Sequence, residues 1–345
     1  MIYNDVIMFG KKLGIDLGTA NSVIFVQGEG ISFVEPTVVA IDVTNYKVIA
    51  VGSDAKRMIG KTPENIVAKR PMRNGVIADS RVTEALLKYF FNKALGKSRF
   101  FKPDVVVSVP AGITTVEQRA VLKAANNAGA KDIVLLPEPL LAALGAGLPI
   151  ETSSGNMIVN LGGGTAEVAV ISLDGIVEYE SLRVAGDAIN EAIINYMRKK
   201  KGVLIGEQTA ENIKIRVGSA IEVKDPRSME VRGRDVGAGL PKSVNVNSND
   251  IAAAVKRPLL SIIGSIKGVL ERTPPELSAD IMDRGMVMSG GTSKLRNLDK
   301  LFSKAIGVPA HVADEPMYCV AKGTGIALEL MATGERTFTF NKGLS

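Results

Sequence analysis

The stretch NMIVNLGGGTAEVAVIS, residues 156–172, decides the fold of this chain. An apolar run, three consecutive glycines and a second apolar run predict two β-strands joined by a tight turn. Glycine lets the backbone approach a ligand closely and point N–H groups at it, which suits phosphate oxygens. The first run nevertheless closes on Asn160, a neutral amide. The stretch is therefore either a phosphate site with weakened chemistry or a glycine turn with no chemistry.

The same pattern occurs near the start of the chain. KLGIDLGTANSVIFV, residues 12–26, aligns with the first stretch as apolar strand, D/N-L-G-x-(G)-T/A, apolar strand. The two copies lie about 145 residues apart, which predicts a duplicated domain whose equivalent turns face each other across a cleft. One glycine turn is weak evidence for a ligand site, whereas a matched pair indicates such a site strongly.

Strands and helices alternate through both halves. Helical spacing at 80–95 with Ser80 as N-cap, and a helix closed by Gly129, fall in the first half. Further helices are predicted at about 207–217 and 249–271 in the second half. This alternation predicts an α/β fold with duplicated lobes, each with a mixed β-sheet flanked by helices.

The length of 345 residues exceeds one ordinary core, so we expect two lobes. Lobe I is predicted to comprise 1–149 and 320–345, with a small inserted subdomain at about 38–70. Lobe II is predicted to comprise 150–319, with a small inserted subdomain at about 186–249.

Composition excludes several classes of protein. With 46% apolar and 23% charged residues the chain is globular, and it has no run of about 18 apolar residues that could span a bilayer. The N-terminus carries Asp5 and lacks the basic start of a signal peptide. A lone Cys319 excludes a disulfide framework and predicts a reducing cytoplasm, and ordinary structural roles are expected for Cys319 and for the single His311. The net charge of +6 is dispersed and Trp is absent, so we expect no nucleic-acid partner.

The two turns also contain residues suited to a phosphate and a metal ion. Asp16 closes its strand where a carboxylate can hold a hydrated Mg²⁺, and Thr19 and Thr165 add hydroxyl donors. Two tight hairpins with a hydrogen-bonded aspartate are the alternative. A third turn, MSGGTSKLRN at 288–297, could flank a nucleotide base or sugar, although it equally fits an ordinary strand-to-helix connection. The backbone donors of the first two turns would come from Gly18, Gly162, Gly163 and Gly164.

Seven segments together resemble the MreB family of bacterial actin homologues. They are IDLGTANS, VSVPAGITTVEQRAV, PEPLLAALGAGLP, NMIVNLGGGTAEVAVISL, GEQTAENIKI, TPPELSADIMDRGMVMSGGTSKLRNLD and VAKGTGIAL, and the resemblance runs from about residue 12 to 333. It implies the actin-like ATPase superfold, with ATP or ADP and Mg²⁺ in a nucleotide cleft between the lobes. It also implies self-assembly into filaments, typically paired antiparallel protofilaments on the inner membrane surface.

The resemblance further assigns roles to individual residues. Glu138 matches the acid that orients the attacking water. The first phosphate loop is matched by Asp16, Gly18, Thr19, Ala20 and Asn21, the second by Gly162, Gly163, Gly164 and Thr165, and the adenosine contacts by Glu211, Lys214, Gly290 and Gly291.

The chain departs from the family pattern at the second loop. The family usually reads D-I-G-G-G-T-T-E, and this chain has Asn160, Leu161 and then Ala166; it also has Pro137 before Glu138 where the family usually reads E-E-P. Asn160 removes a carboxylate that helps to position Mg²⁺, and Ala166 removes a hydroxyl expected near the water or the γ-phosphate. Loss of one such group commonly costs about 10²–10³ in rate. We therefore expect ATP binding with slow hydrolysis, at most a weak ATPase.

Two segments could contact a membrane. In KSRFFKP, Phe100 and Phe101 lie among Lys97, Arg99 and Lys102 and match the family's membrane-insertion loop; a buried loop anchor is the alternative. The opening MIYNDVIMF could form a short interfacial helix or simply fray.

The leading interpretation is an ATP-binding cytoskeletal protein that polymerises and supports cell shape or motility. Its partners would be copies of itself, paralogous filament proteins and an anionic membrane surface, at the inner face of the cell membrane. A small-molecule kinase of the same superfold would need a dedicated base that no further motif supplies. A chaperone-type ATPase would need a peptide-binding domain, and only about a dozen residues follow the nucleotide-binding region.

Overall fold

Contacts divide the chain into two units. The computed structural model describes residues 11–96 and 102–335. The first unit takes in the described residues up to Gly145 together with those from Val320 onward, and the second unit is Ala146–Cys319. Each unit has its own buried apolar cluster, so each can be described by itself.

Within the described residues, the first unit contains ten strands and four helices before the chain passes to the second unit. In chain order they are β1 (Lys12–Leu17), β2 (Asn21–Val26), β3 (Gly30–Pro36), β4 (Val39–Asp42), β5 (Val48–Val51), α1 (Ser53–Met58), β6 (Ile66–Lys69), β7 (Met72–Arg73), β8 (Val76–Ile77), α2 (Ser80–Leu95), β9 (Asp104–Val109), α3 (Thr115–Ala128), β10 (Ile133–Pro137) and α4 (Glu138–Gly145).

The second unit follows, and one more helix then returns to the first. The elements are β11 (Asn156–Leu161), β12 (Ala166–Ser172), β13 (Gly175–Leu182), α5 (Gly186–Tyr196) with a π-helical turn Met197–Lys201, β14 (Val203–Leu204), α6 (Glu207–Val217), β15 (Ser228–Asp235), β16 (Pro241–Asn247), α7 (Ser248–Arg272), α8 (Pro275–Arg284), β17 (Met286–Ser289), a 3₁₀ turn Gly291–Lys294, α9 (Leu298–Ile306), β18 (Ala310–Val312), a 3₁₀ turn Pro316–Tyr318 and α10 (Cys319–Thr333).

The main sheets of the two units follow one plan. Their orders are β10-β9-β1-β2-β3 and β13-β12-β11-β17-β18. In each, three consecutive strands run antiparallel, and two later strands lie parallel beside the first of the three. This confirms the predicted duplication and the predicted mixed sheets. Smaller sheets, β5-β4-β6 and β7-β8 in the first unit and β14-β15-β16 in the second, lie outside this plan.

Apolar runs become the buried strands that their sequences predict. Every residue of β11 and β12 is buried, because helices cover the second sheet and leave its central strands no solvent-facing side. In the first unit α10 packs directly on the sheet. A Cβ at Gly14 of β1 would overlap Thr324, and one at Gly325 would overlap the ring of Phe25, so glycine is what permits this close approach.

Two helix ends test the capping predictions. The helix predicted at 80–95 is present, but its N-cap is Asp79 rather than Ser80, since the Asp79 carboxylate accepts a hydrogen bond from the N–H of Val82 at 3.1 Å. The same carboxylate pairs with Lys69 at 2.7 Å. Closure of α3 by Gly129 is confirmed, and Gly129 adopts the left-handed conformation with φ of 110°.

Candidate functional site

Three polar residues lie at one edge of the first sheet. Asp16 is near the end of β1, Ser108 is near the end of β9, and Glu138 directly follows β10. β1, β9 and β10 are parallel neighbours, and their register places the C-terminal ends of the three strands side by side. Glu138, the first residue of α4, is only 7% exposed. The fold therefore gathers the predicted metal-side carboxylate and the predicted water-orienting acid at one edge.

Asp16 is held by a serine that sequence reasoning missed. The Ser108 hydroxyl donates to Oδ1 of Asp16 at 3.3 Å and accepts a hydrogen bond from the N–H of Leu17 at 3.3 Å. Burial raises the pKa of Asp16 to about 7, against the opposing effect of the Ser108 hydrogen bond. A cation beside this carboxylate would favour its charged form.

This donor set fits a Mg²⁺ ion that also binds the nucleotide. No cluster of three or more His, Cys, Asp or Glu side chains that could hold a metal occurs within residues 11–96 and 102–335. Mg²⁺ typically takes one or two carboxylates, substrate phosphates and several waters, so one carboxylate suffices. Asp16 would hold the ion through water, and the bound ion would neutralise phosphate charge.

The predicted first phosphate loop is held by hydrogen bonds within the first unit. Thr37 donates its hydroxyl to the carbonyl of Gly18 at 2.7 Å and its N–H to the carbonyl of Ala20 at 3.0 Å. The N–H of Gly75 donates to the hydroxyl of Thr19 at 3.0 Å. Glycine is required at 18, because a Cβ there would lie 2.5 Å from the carbonyl oxygen of Asn21, the first residue of β2.

The second sheet carries a matching edge with different chemistry. Asn160, 4% exposed on β11, pairs in register with the fully buried Ser289 of β17. The Ser289 hydroxyl donates to Oδ1 of Asn160 at 3.0 Å. On the antiparallel neighbour β12, the residue opposite Asn160 is Glu167, whose side chain is buried with 1% exposure. Ser108, Ser289 and Glu167 were not predicted; the signal for the serines is a serine at or next to the end of an apolar run, just before a proline or glycine turn.

The predicted second phosphate loop begins two residues after Asn160. The N–H of Gly162 donates to the carbonyl of Thr165 at 2.9 Å and closes the turn, with Gly163 and Gly164 between them. The turn also accepts a hydrogen bond from α5, since the N–H of Gly186 at the start of that helix donates to the carbonyl of Gly162 at 3.2 Å.

Ala166 lies away from this chemistry. Ala166 has no exposed surface and belongs to the apolar core of the second unit. Asn160 pairs with Glu167, and adjacent residues of a strand point to opposite faces, so Ala166 and Asn160 lie on opposite faces of the sheet. A hydroxyl at 166 would therefore enter the core, which corrects the interpretation of Ala166 as a lost site hydroxyl.

The predicted adenosine residues adjoin the second loop. Lys214 donates to the carbonyl of Gly186 at 3.1 Å, and Glu211 lies one turn earlier on α6. The Thr292 hydroxyl, next to Gly291, donates to the carbonyl of Gly162 at 2.7 Å. Hydrogen bonds thus link the loop at 162–165, the start of α5, α6 and the turn after β17.

Gly290 has a left-handed conformation that the close packing of its turn requires. Its φ is +81°, and a Cβ there would overlap the backbone of Leu161. Its N–H donates to the carbonyl of Pro316 at 2.7 Å. Glycine at 290 therefore lets the turn after β17 close on the end of β11.

Some predicted residues fall elsewhere. Phe100 and Phe101, and the opening nine residues, lie outside the described residues. His311 is exposed on β18, and Cys319 is buried at the start of α10. None of the helices in the described ranges has the length and apolarity that a bilayer crossing requires.

The repeated sheet plan and the paired glycine loops define an actin-like protein. A crystal structure of MreB5 of Spiroplasma citri bound to ADP superposes with a TM-score of 0.90 at 35% identity, covering 94% of this chain and 98% of that one. A MamK double helical filament matches with a TM-score of 0.76 at 21% identity, covering 92% and 98%, and supports the fold alone.

Sequence comparison identifies the family. The family model for MreB/Mbl protein matches residues 10–336. The cell shape-determining protein MreB of Escherichia coli K12 is 50% identical over 330 residues, 94% of this chain and 95% of that protein. The cell shape-determining protein Mbl of Bacillus cereus is 50% identical over 322 residues, 93% and 97% respectively. The chain belongs to the MreB/Mbl family, as its motifs predicted.

Proposed function

We propose that this chain is an ATP-binding, actin-like cytoskeletal protein that polymerises into filaments and supports cell shape. The observation that carries the proposal is the pair of glycine loops at equivalent strand ends of two sheets with one plan. Relatives at 50% identity are named cell shape-determining proteins, and structures of MreB5 of Spiroplasma citri are bound to ADP and to AMPPNP.

Each of the two loops supplies part of the proposed nucleotide site. Backbone N–H groups of residues 18–21 and 162–165 bind phosphate oxygens, and Asp16 orients waters of a Mg²⁺ ion. Glu138 orients the attacking water, and Glu211, Lys214, Gly290 and Gly291 contact the adenosine. The start of α5 adds the positive end of a helix dipole next to the second loop.

Hydrolysis is proposed to be slow. Phosphoryl transfer depends on positioning and charge stabilisation, and Asn160 offers a neutral amide where the family usually has a carboxylate. Binding suffers less, because the backbone donors and Asp16 are retained. Slow hydrolysis rests on Asn160 alone, since Ala166 is buried in the core.

Assembly is tested by sedimentation and electron microscopy of the purified protein with ATP, with ADP and without nucleotide. We expect concentration-dependent pelleting and filaments, paired and antiparallel. Val116 and Ile215 are the large apolar side chains of the described residues with more than 70% exposure, at 76% and 71%. Val116→Glu and Ile215→Glu therefore test which face is buried between subunits, with Val116→Thr and Ile215→Thr as uncharged controls. A protein that stays monomeric at every concentration would instead favour a kinase or chaperone-type ATPase.

Membrane contact is a separate part of the proposal. The filaments would lie on an anionic membrane at the inner face of the cell membrane, through Phe100 and Phe101, and could co-assemble with paralogous filament proteins in a shape or motility role. Co-sedimentation with liposomes containing anionic lipid tests this. Changing both phenylalanines to serine should abolish binding, and unchanged binding would refute the loop's role.

A further inference from the structure

The outer side of α7 carries a glycine that its own unit does not require. The helix runs for 25 residues, and its inner side, which includes Val255, Leu259 and Ile262, is buried in the core of the second unit. Gly264 is exposed, and a Cβ added there would meet no atom within 4 Å. Glycine is among the poorest helix formers, so an open position on a helix ordinarily favours another residue. The described contacts of the second unit therefore give no reason for glycine at 264.

The residues around Gly264 form a symmetric pattern. Leu260 and Gly268 lie four residues before and after Gly264, and Arg257 and Glu271 lie seven residues before and after it. At 3.6 residues per turn, the five fall on one side of the helix within an arc of about 80°. Leu260 is 55% exposed, and both charged residues are exposed. We call these five residues the Gly264 face.

The two charges of the Gly264 face are available to a partner. Among the described residues, Arg257 and Glu271 take part in no ion pair. The neighbouring cation Arg272 is bound instead to Glu178 and Glu180, at 3.3 Å in each case. The basic end of the Gly264 face is therefore separated from its acidic end, and each end can bind the opposite charge on another molecule.

We propose that the Gly264 face binds the same face of a second copy of this chain, with the two α7 helices antiparallel across a two-fold axis beside Gly264. In that arrangement Arg257 of each copy meets Glu271 of the other, and Leu260 of each packs against Gly268 of the other. Glycine at 264 and 268 lets the helices approach closely enough for these contacts. A parallel arrangement would place Arg257 against Arg257, so the charges select the antiparallel one.

A single contact of this kind is small. One helix pair covers less than the roughly 1,000 Å² that a stable interface between free subunits needs. Between two filaments, however, many copies bind at once and their weak contacts add. The inference therefore rests on the proposed polymerisation, and it names the surface through which two antiparallel filaments pair.

Charge reversal tests the pairing, by electron microscopy and sedimentation of filaments at low salt. Arg257→Glu and Glu271→Arg should each lower the fraction of paired filaments by at least about fivefold, because each places like charges together at both ends of the contact. The pelleted amount should stay near that of the wild type, since single filaments remain. The double variant restores opposite charges and should restore pairing. Pairing that survives both single changes, or that stays lost in the double variant, would overturn the inference.

A side chain at 264 separates pairing from folding. Gly264→Gln should raise the melting temperature by about 2 °C, because glutamine is a better helix former than glycine. It should nevertheless leave the filaments single, because the new side chain holds the two helices apart. A more stable variant that pairs as the wild type does would contradict the close approach at Gly264.

Cross-linking locates the two-fold axis. Gly264→Cys should form a disulfide with its own copy, and the native Cys319 does not interfere because it is buried. Lys256→Cys is the matched control on the same helix, also exposed. The proposed axis places its two copies about 24 Å apart along the helices, so it should cross-link at least about tenfold less. Equal cross-linking at the two positions would overturn the inference.

The remaining outcomes separate the two proposals. If wild-type filaments form but stay single, polymerisation stands and the inference fails. If no filaments form and Gly264→Cys still cross-links above Lys256→Cys, the pairing surface stands and polymerisation fails. If neither filaments nor cross-linked dimers form, both proposals are wrong.

Discussion

The strand ends of the two main sheets share one construction and differ in one functional group. At each end a serine on the neighbouring parallel strand donates to Oδ1 of the residue before a glycine turn. That residue is Asp16 in the first unit and Asn160 in the second. Duplication has therefore kept the backbone that can bind phosphate, while the side chain that can act on a metal ion differs between the halves.

The loops beyond these strand ends are also stabilised differently. In the first loop, hydroxyls of Thr37 and Thr19 bond to the backbone. In the second loop, the main chain at Gly186 and the hydroxyl of Thr292 bond to the carbonyl of Gly162. Neither set of contacts involves Asp16 or Asn160, so a change at either position should leave its loop intact.

The largest effect is expected from making the first strand end resemble the second. Asp16→Asn should weaken ATP binding in the presence of Mg²⁺ by about 100-fold, because it removes the carboxylate that holds the ion. Thermal stability should be kept or increased, since a half-buried carboxyl whose pKa is raised by desolvation is replaced by a neutral amide. Calorimetry and thermal unfolding measure the two effects, and unchanged affinity would contradict the assigned role of Asp16.

The reverse change, from amide to carboxylate at the second strand end, should speed ATP hydrolysis. Asn160→Asp should raise the rate of phosphate release by about 10- to 100-fold, because it restores a group that acts on charge in the transition state. Ala166→Thr should leave the rate unchanged and lower the free energy of unfolding by about 1–2 kcal/mol, because it buries a hydroxyl in the core. Faster release from Ala166→Thr alone would show that position 166 reaches the site.

A third prediction concerns the turn that closes on the second loop. Gly290→Ala should lower the free energy of unfolding by about 3 kcal/mol, since φ is +81° and the new Cβ would overlap the backbone of Leu161. Gly307→Ala is the matched control, with φ of +84° and open space around the Cβ, and it should cost only about 1 kcal/mol. Urea denaturation measures both, and equal losses would mean that contact with Leu161 is unimportant.

The smallest effect concerns an ion pair of the first unit. Burial alone would raise the pKa of Glu35, but hydrogen bonds from Lys93 at 2.6 Å and from Ser53 outweigh it and hold the pKa below its ordinary value. Stability from this carboxylate is therefore fully present above the ordinary pKa and is lost as the pH falls through the lowered one. Glu35→Gln should cost about 1 kcal/mol at pH 7 and less below pH ~4.

Urea titrations across that range, with Glu35→Gln and wild type side by side, give the measurement. A second ion pair, Lys201 with Asp250 in the second unit, is unchanged by the substitution. Its pH dependence is therefore the same in both proteins and cancels in the difference between them. A cost for Glu35→Gln that stays constant with pH would contradict the role of its charge.

Local patterns in the sequence predicted the backbone of the site, but not its side-chain contacts. Glycine spacing and apolar runs located β1, β2, β11 and β12, because strand and turn preferences are local. The bond between Ser289 and Asn160 joins residues 129 positions apart, which no local pattern indicates. The face of Ala166 depends on the register across the turn, so it became known only with the pairing of Asn160 and Glu167. The predicted N-cap, Ser80, was one residue too late for a local reason, since the carboxylate of Asp79 caps a helix as well as a serine hydroxyl does.

Because α10 returns to the first sheet, the two units can complete their folding only in a certain order during synthesis. The first unit needs the residues from Val320 onward, and Gly14 and Gly325 fit α10 closely against β1 and β2. During translation α10 leaves the ribosome after Ala146–Cys319, which is continuous in the chain. The half of the protein made first is therefore completed last, and the second unit can close while the first still waits for its final helix.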